Sequence, residues 1–302
     1  MPLLREESEK LSNNMLERGI IEEIIDHDDL FSILPFKRVD GKAYVYNREK
    51  ELSEGQFIDP VTGTVPEGAA SFDEITTKLR VLAGQVRVDS FLDTTQSDTN
   101  PQKAIQIAMK AKGLGRKFRR TVATGDTGAT PQEFDGISML SSAGQTLEAG
   151  ADGAPMTLTM LDELIDAVPN GADVIVMREG TIRQYKNLLR TSAGGTDASM
   201  MQLRNFSRPM LTHNGIPIIR DTFLPGDEVQ GAEAETCSVY AMRLNEVDGL
   251  HAIYGGSTAG IVVEDLGIDD EYDATKTRLK WYCGLALKST RSLARLKGIT
   301  NI

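Results

Sequence analysis

Between Lys103 and Arg120 lie seven lysines or arginines and no acidic residue, inside a segment that predicts a helix. Asn100 suits an N-cap, and Pro101 suits the first helical position, where its missing N–H costs nothing. Ile105, Ala108 and Met109 supply a packing stripe. Gly113 and Gly115 weaken the far end, where Arg116, Lys117, Arg119 and Arg120 complement the helix dipole. A helix of one sign must pack one face while its cations reach water or acids. It therefore constrains everything around it.

The opposite charge gathers at the start of the chain. Residues 1–30 hold nine acids against Arg5, Lys10 and Arg18, a local net of −6 within an overall −11. That total argues against broad coating of DNA, which needs phosphate-neutralising cations. The polarity suits a subunit that complements its neighbours by charge, although solvated helix faces explain charges alone equally well. A length of 302 residues is ample for a sizeable core. No run of apolar residues is long enough for a membrane helix, and no secretory pattern opens the chain. Cys237 and Cys283 sit in apolar strand patterns and predict buried thiols.

Residues 7–26 show helical spacing through Leu11, Met15, Ile20 and Ile24, widened by Leu16, Ile21 and Ile25. An arm of this kind must bury its stripe on the body or on a neighbour. Leu30, Phe31, Ile33, Leu34 and Phe36 then form an apolar anchor around Pro35. A strand around Ala43–Tyr46, turn-rich residues 47–71, and an extended return from Phe72 to Asp89 predict a long antiparallel hairpin, with Ala83–Gly84 shifting its phase as a bulge would. Two-stranded ribbons are marginal alone, so this one should lie on another surface.

From Asp135 the pattern is α/β. Thr157 or Thr159 can cap a helix with Leu161, Leu164, Ile165 and Val168 inward. Val174–Met177 is an apolar strand, and Gly180–Thr181 opens a helix carrying Ile182, Tyr185, Leu188 and Leu189. A loose Ser192–Thr196 stretch, a polar helix near Ser199–Phe206 and a strand at Ile216–Ile219 follow, with Pro217 suggesting an edge position. Strands are expected at 237–244, 250–254, 260–264 and 275–287. In the last, Leu279, Trp281, Cys283, Leu285 and Leu287 alternate with Arg278, Lys280 and Tyr282, which requires one buried face. Leu293, Leu296 and Ile299 return the tail to the body.

Chemistry is scarce. His27, His213 and His251 have no partner at metal-ligand spacing. Gly255–Gly260 lacks both the Lys-Ser/Thr of a phosphate loop and the spacing of a nucleophile elbow. Asp126–Gly128 matches an aspartic protease over three residues only, and Asp269–Asp273 reads as a solvated turn. No nucleophile, base and orienter converge. No catalytic, cofactor-binding or metal residue is assigned, and no cofactor is expected.

The order of the pieces resembles the major capsid protein of tailed bacteriophages, the HK97-like fold shared with encapsulin shells. Leu34–Phe36 leading into Gly41–Arg48 looks like the approach to that family's E-loop, Phe72–Asp89 like its return, and Asn100–Arg120 like the spine helix. Phe134–Ile137, Ala172–Arg178 with Thr181–Arg190, Gly215–Asp221, Trp281–Leu287 and Ala294–Ile299 resemble later landmarks of the fold. The resemblance implies an α+β chain divided into an N-terminal arm (1–36), an extended E-loop hairpin (37–89), a peripheral domain with a long spine helix (90–134), an axial α/β domain (135–265) and a C-terminal return to the peripheral domain (266–302).

It also implies a non-enzymatic shell subunit of an icosahedral virion head assembled in the host cytoplasm. The implied partners are copies of itself in pentamers and hexamers, a separate scaffolding protein, a portal, packaged double-stranded DNA bound non-specifically and a decoration protein, with no membrane. Lys103, Lys110, Arg116, Lys117 and Arg120 would face the shell interior or pair with an acidic arm. Lys50 could donate to a crosslink, but no acceptor is identified and none is expected. An encapsulin-type compartment is the alternative within the fold, and a soluble α/β enzyme the alternative outside it.

Overall fold

A computed structural model describes residues 30–59, 63–65, 67–91, 94, 102–193, 200–201, 210–256, 259–269 and 271–300. The arm expected at 7–26, the cap at Asn100–Pro101 and most of the 199–206 helix lie outside the described residues. Within that last stretch, Met200–Met201 (β7) pairs with Met210–Leu211 as strand, which corrects the helix expected there.

The first described elements are a single turn, α1 (Leu30–Ile33), and β1 (Phe36–Arg38), which runs parallel to β12 (Leu250–Tyr254). Among the described strands, β2 (Ala43–Glu51) and β3 (Ser71–Lys78) pair only with each other. At Leu79 the chain changes partner, and β4 (Arg80–Asp89) runs antiparallel to β14 (Ala274–Leu287). The expectation that 72–89 forms one hairpin arm is therefore corrected, because only its first half pairs with β2.

No bulge breaks β4, whose register with β14 is continuous from Arg80↔Cys283 to Asp89↔Ala274. Leu82, Gly84, Val86 and Val88 share the inner face. Gly84 lies where the long helix crosses the sheet, with the flexible end of the Lys110 side chain over it.

That helix, α2 (Gln102–Thr124), extends past Arg120. Leu114, Phe118 and Val122 are buried, with Ile107 and Ala111 partly covered against the sheet. The stripe expected from Ile105, Ala108 and Met109 is wrong: Ala108 and Met109 are exposed. The packing face follows 107, 111, 114, 118 and 122 at helical spacing, and Gly113 and Gly115 do not interrupt it. Because one further turn follows Arg120, the basic cluster precedes the carbonyl end instead of capping it.

β13 (Val262–Ile268) and β12 flank β14 on the side opposite β4, completing a five-stranded sheet with β1. Phe31, Phe36, Phe118 and Trp281 meet beneath it, with Trp281 and Phe118 centroids 4.3 Å apart. One aromatic cluster thus ties α1, β1, α2 and β14 together.

A second, eight-stranded sheet has the order β5 (Thr146–Glu148), β15 (Leu293–Ile299), β11 (Glu233–Met242), β6 (Val174–Met177), β9 (Ile216–Arg220), β8 (Met210–His213) and β7, with β10 (Glu228–Gln230) beside β11. A short α3 (Ile137–Leu140) precedes β5. The tail therefore does not follow β14: β15 joins β11 and β5 in the second sheet. β6 is buried along its whole length, as expected for an apolar strand paired on both sides.

α4 (Leu158–Asp166) is capped by Thr157, whose hydroxyl accepts from Met160 N, while Thr159 lies inside the helix. α5 (Glu179–Ala193) has Glu179 in its first turn and Arg190 in its last, both favourable to the dipole. β9 is an interior strand, so the edge position expected for Pro217 is corrected. The Asn214–Gly215 turn, with φ of 49° and 82°, makes His213 and Ile216 its closing hydrogen-bonded pair. Pro217 then falls opposite Thr212 at a non-hydrogen-bonded position, and the β6 ladder begins only at Ile218. A missing N–H is tolerated there.

Candidate assembly surfaces

The β2–β3 hairpin stands on a narrow root. Alternation turns Tyr44, Tyr46 and Arg48 toward the body and Val45, Asn47 and Glu49 toward solvent. Tyr46 Oη donates to Leu287 O at 2.7 Å; Arg48 Nε donates to Lys288 O at 2.8 Å and Arg48 Nη2 to Leu287 O at 2.9 Å. These bonds hook the hairpin onto the last carbonyls of β14. Clefts of about 510 Å³ and 710 Å³ flank the hook.

Beside it, Lys37 donates to Tyr44 Oη at 3.1 Å, and Lys288 lies over the Tyr44 ring. Burial pushes the Tyr44 phenol up, but the Lys288 and Lys37 ammoniums outweigh it and leave the phenol below its ordinary value. Beyond the root, residues 51–59 are exposed without exception. Leu52 is 70% exposed, Val65 75% and Phe57 fully so. Large apolar side chains on a ribbon with no backing sheet need a surface from elsewhere.

The basic helix is partly spoken for. Lys103 pairs with Asp265 at 2.8 Å, and Lys117 pairs with Glu133. The Lys103 ammonium holds the Asp265 carboxyl below the usual carboxylate range. Arg119 stacks over Phe31, 5.6 Å from its centroid. Lys110 lies across Gly84, Arg116 is half-buried, and Arg120 is exposed. Of the five cations singled out from the sequence, Lys103 and Lys117 are thus held by acids of the same chain.

Asp269 also departs from expectation. Its side chain is 1% exposed, not solvated, and joins Arg87 at 2.9 Å and Lys276 across the β13–β14 tip. Hydrogen bonding from Lys276, chiefly, holds its carboxyl below the usual range. Tyr272 receives the Arg87 guanidinium on its face. This cluster fastens the tip to β4.

The motifs set aside in the sequence have structural uses. Asp126 accepts from Gly128 N at 2.7 Å, and Asp135 accepts from Thr127 N and Oγ1, so Asp126–Gly128 builds a turn. His213 bridges elements: Nδ1 lies 3.0 Å from Tyr185 Oη, Nε2 lies 2.9 Å from Asp162 Oδ1, and Tyr185 Oη donates to Thr212 O. His251 is fully buried against Tyr44, and burial lowers its pKa. Cys237 and Cys283 are buried free thiols, the latter pushed up to about 12 by burial. His27 lies outside the described residues. Among the described residues no group of three His, Cys, Asp or Glu could hold a metal. Among the described residues no helix is long and apolar enough to cross a membrane.

Sequence reasoning missed the hook and the ion pairs. The period-two run Tyr44, Tyr46, Arg48 was the available signal for the first. Nothing local announces Glu133 or Asp265 as partners of the helix.

The two sheets, the long helix packed across one of them and the detached hairpin are the HK97-like fold, that of tailed-phage major capsid proteins and encapsulins. No family model and no curated protein sequence matches the chain. Among solved structures, the holo-SrpI encapsulin complex from Synechococcus elongatus PCC 7942 aligns with a TM-score of 0.74 at 17% identity, over 99% of this chain and 97% of that one. The capsid of an empty GTA particle gives 0.67 at 14%, covering 98% of both chains. Microbacterium phage Oxtober96 gives 0.65 at 14%, covering 97% of this chain and 98% of its own.

Proposed function

We propose that this chain is a major capsid protein, the self-assembling subunit of an icosahedral phage head that encloses double-stranded DNA. The observation that carries it is the hairpin, which pairs with no other described strand and presents Leu52, Phe57, Ile58 and Val65 to solvent. Burying each on a neighbour contributes roughly 1.5–3 kcal/mol, and the repetition of such contacts over a closed shell multiplies their effect. The fold's likeness to phage capsid subunits across nearly the whole chain supports the same reading.

The role is structural. Copies of the chain would gather as pentamers and hexamers, with a separate scaffolding protein and a portal during assembly in the host cytoplasm. A decoration protein could bind outside. DNA would be held by diffuse, salt-sensitive attraction. With Lys103 and Lys117 paired internally, Lys110 and Arg120 are the better candidates on α2 for that attraction.

An encapsulin-type compartment is the second reading, favoured by the TM-score of 0.74 to an encapsulin against 0.67 and 0.65 for the two capsids. Purified particles decide between them. Nuclease-protected DNA supports the head, and one predominant enclosed protein supports the compartment. A chain that stays monomeric under every assembly condition sinks both.

A further inference from the structure

The hairpin's own seat holds a group at odds with its surroundings. On that face of the five-stranded sheet His251 of β12 pairs in register with Ala286 of β14, and Ile253 with Gly284. Tyr44 of β2 closes over His251, the ring centroids 5.7 Å apart and the planes at 80°. The Lys78 carbonyl at the end of β3 closes over Gly284, where a Cβ would lie 3.3 Å from it. Both strands of the hairpin therefore rest on this face at their inner ends, with Val39, Ile253, Ala286, Tyr44 and Leu79 as the apolar filling.

The imidazole beneath is fully buried. Its Nδ1 lies 3.4 Å from Gly249 O, so the single proton of the neutral ring belongs there. Its Nε2 is buried and meets no hydrogen-bond partner among the described residues. A second proton would put an N–H and a positive charge in a place that solvates neither. The surrounding charges add to the cost. Lys37 of β1 and Lys288 beyond β14, which both hold Tyr44, oppose a charged ring, while Glu246 favours it. Arg48 of β2 is engaged with the Leu287 and Lys288 carbonyls, and Tyr46 packs on Tyr44. Burial above all, joined by the two ammoniums, outweighs the Gly249 carbonyl and holds the imidazole below its ordinary value.

We propose that His251 is a proton-operated latch: a second ring proton, taken up at Nε2, unseats Tyr44 and frees the inner end of the β2–β3 hairpin from the sheet. Lifting the hairpin opens the ring to water, where it accepts the proton at its ordinary value of about 6.5. The seat supplied by the neutral ring is therefore complete above about pH 6.5, and it is lost as pH falls from there through the lower seated value. His213, the other described histidine, bridges α4, α5 and β8, so the two are told apart by where the chain responds.

Hydrogen exchange of the unassembled full chain tests it, followed from about pH 7.5 to about pH 5 with the intrinsic pH dependence of exchange removed. Protection of β2 and β3 should fall by about threefold or more over that range, while β11 and β15 keep theirs. H251Q, which cannot take the charge, should hold the hairpin at the parent's neutral-pH protection throughout. K288Q keeps the ring and removes one opposing ammonium, and should leave a smaller acid loss than the parent's.

A parent hairpin whose protection ignores acid overturns the latch, as does an H251Q chain that loses protection just as the parent does. If H251Q does not fold, or has lost its seat already at neutral pH, K288Q decides: an acid loss equal to the parent's or larger overturns the proposal. None of these readings needs an assembled particle, so the latch and the shell reading stand or fall separately.

Discussion

The eight-stranded sheet and the β2–β3 hairpin are built on opposite rules. In the sheet, β6, most of β11 and most of β15 are buried, between adjacent strands and under side chains of α4 and α5. In the hairpin, the ladder is regular but no layer lies behind it, and its tip is exposed. Both form strand from the same backbone bonding. Only the sheet contains its own reason to be stable; the hairpin has a fixed base and an unfinished surface. The contrast separates folding from assembly along one chain.

The largest expected effect breaks the buried side of the comparison. Trp281→Ala empties the aromatic cluster that joins α1, β1, α2 and β14, and should cost about 3–5 kcal/mol in subunit stability. Denaturant unfolding measures it, and a loss below about 1 kcal/mol would show that the cluster is not where the layers are held.

Arg48→Ala comes next. Removing two charge-assisted bonds to the Leu287 and Lys288 carbonyls should release about 1.5–3 kcal/mol, confined to the hairpin. Hydrogen exchange should quicken at β2 and β3 while β11 and β15 keep their protection. Uniform acceleration would mean that the hairpin is part of the cooperative core.

Acid should loosen a third place selectively. The folded pKa of Asp269 is depressed, so its ionised form adds stability above the ordinary carboxylate pKa of about 4, and this is lost as pH falls through the lower folded value. Exchange at the β13–β14 tip should rise in that window before the second sheet responds. Asp269→Asn should remove the dependence.

The smallest effect sharpens the other side. Phe57→Ala should change subunit stability by no more than about 0.5 kcal/mol, because the ring has nothing to lose in the single chain. Assembly yield should nevertheless fall. A large drop in subunit melting temperature would place Phe57 in an intramolecular contact.

The sequence announced elements whose partners are simple. β14 alternates from Leu279 to Cys283 because one face meets α2 and the aromatic cluster, a period visible in the sequence, whereas from Cys283 to Leu287 both faces are buried, which that period does not show. β12 and β6 were located by compact apolar runs. Errors came where a distant element set the local choice. Gly84 looked like a bulge because the strand that pairs with it without a break, β14, is remote in sequence, and Pro217 looked like an edge because the late start of the β6 ladder leaves no local trace. The stripe of α2 was read one step off, since its period is fixed by Phe118 and Val122, beyond the glycines. For the assembly surface, the exposed hairpin was legible from its turn residues, but the Arg48 hook was not. Its acceptors are backbone carbonyls, which carry no residue signature.

Leu287, whose carbonyl accepts from both Tyr46 and Arg48 of the hairpin, is also the last residue of the strand that pairs with β4 over ten consecutive positions. Any tug on the hairpin with a component along that strand is resisted by those rungs in shear, all strained together, instead of being peeled one at a time. The attachment point therefore leads into a strand whose pairing is loaded in shear and not peeled from one end.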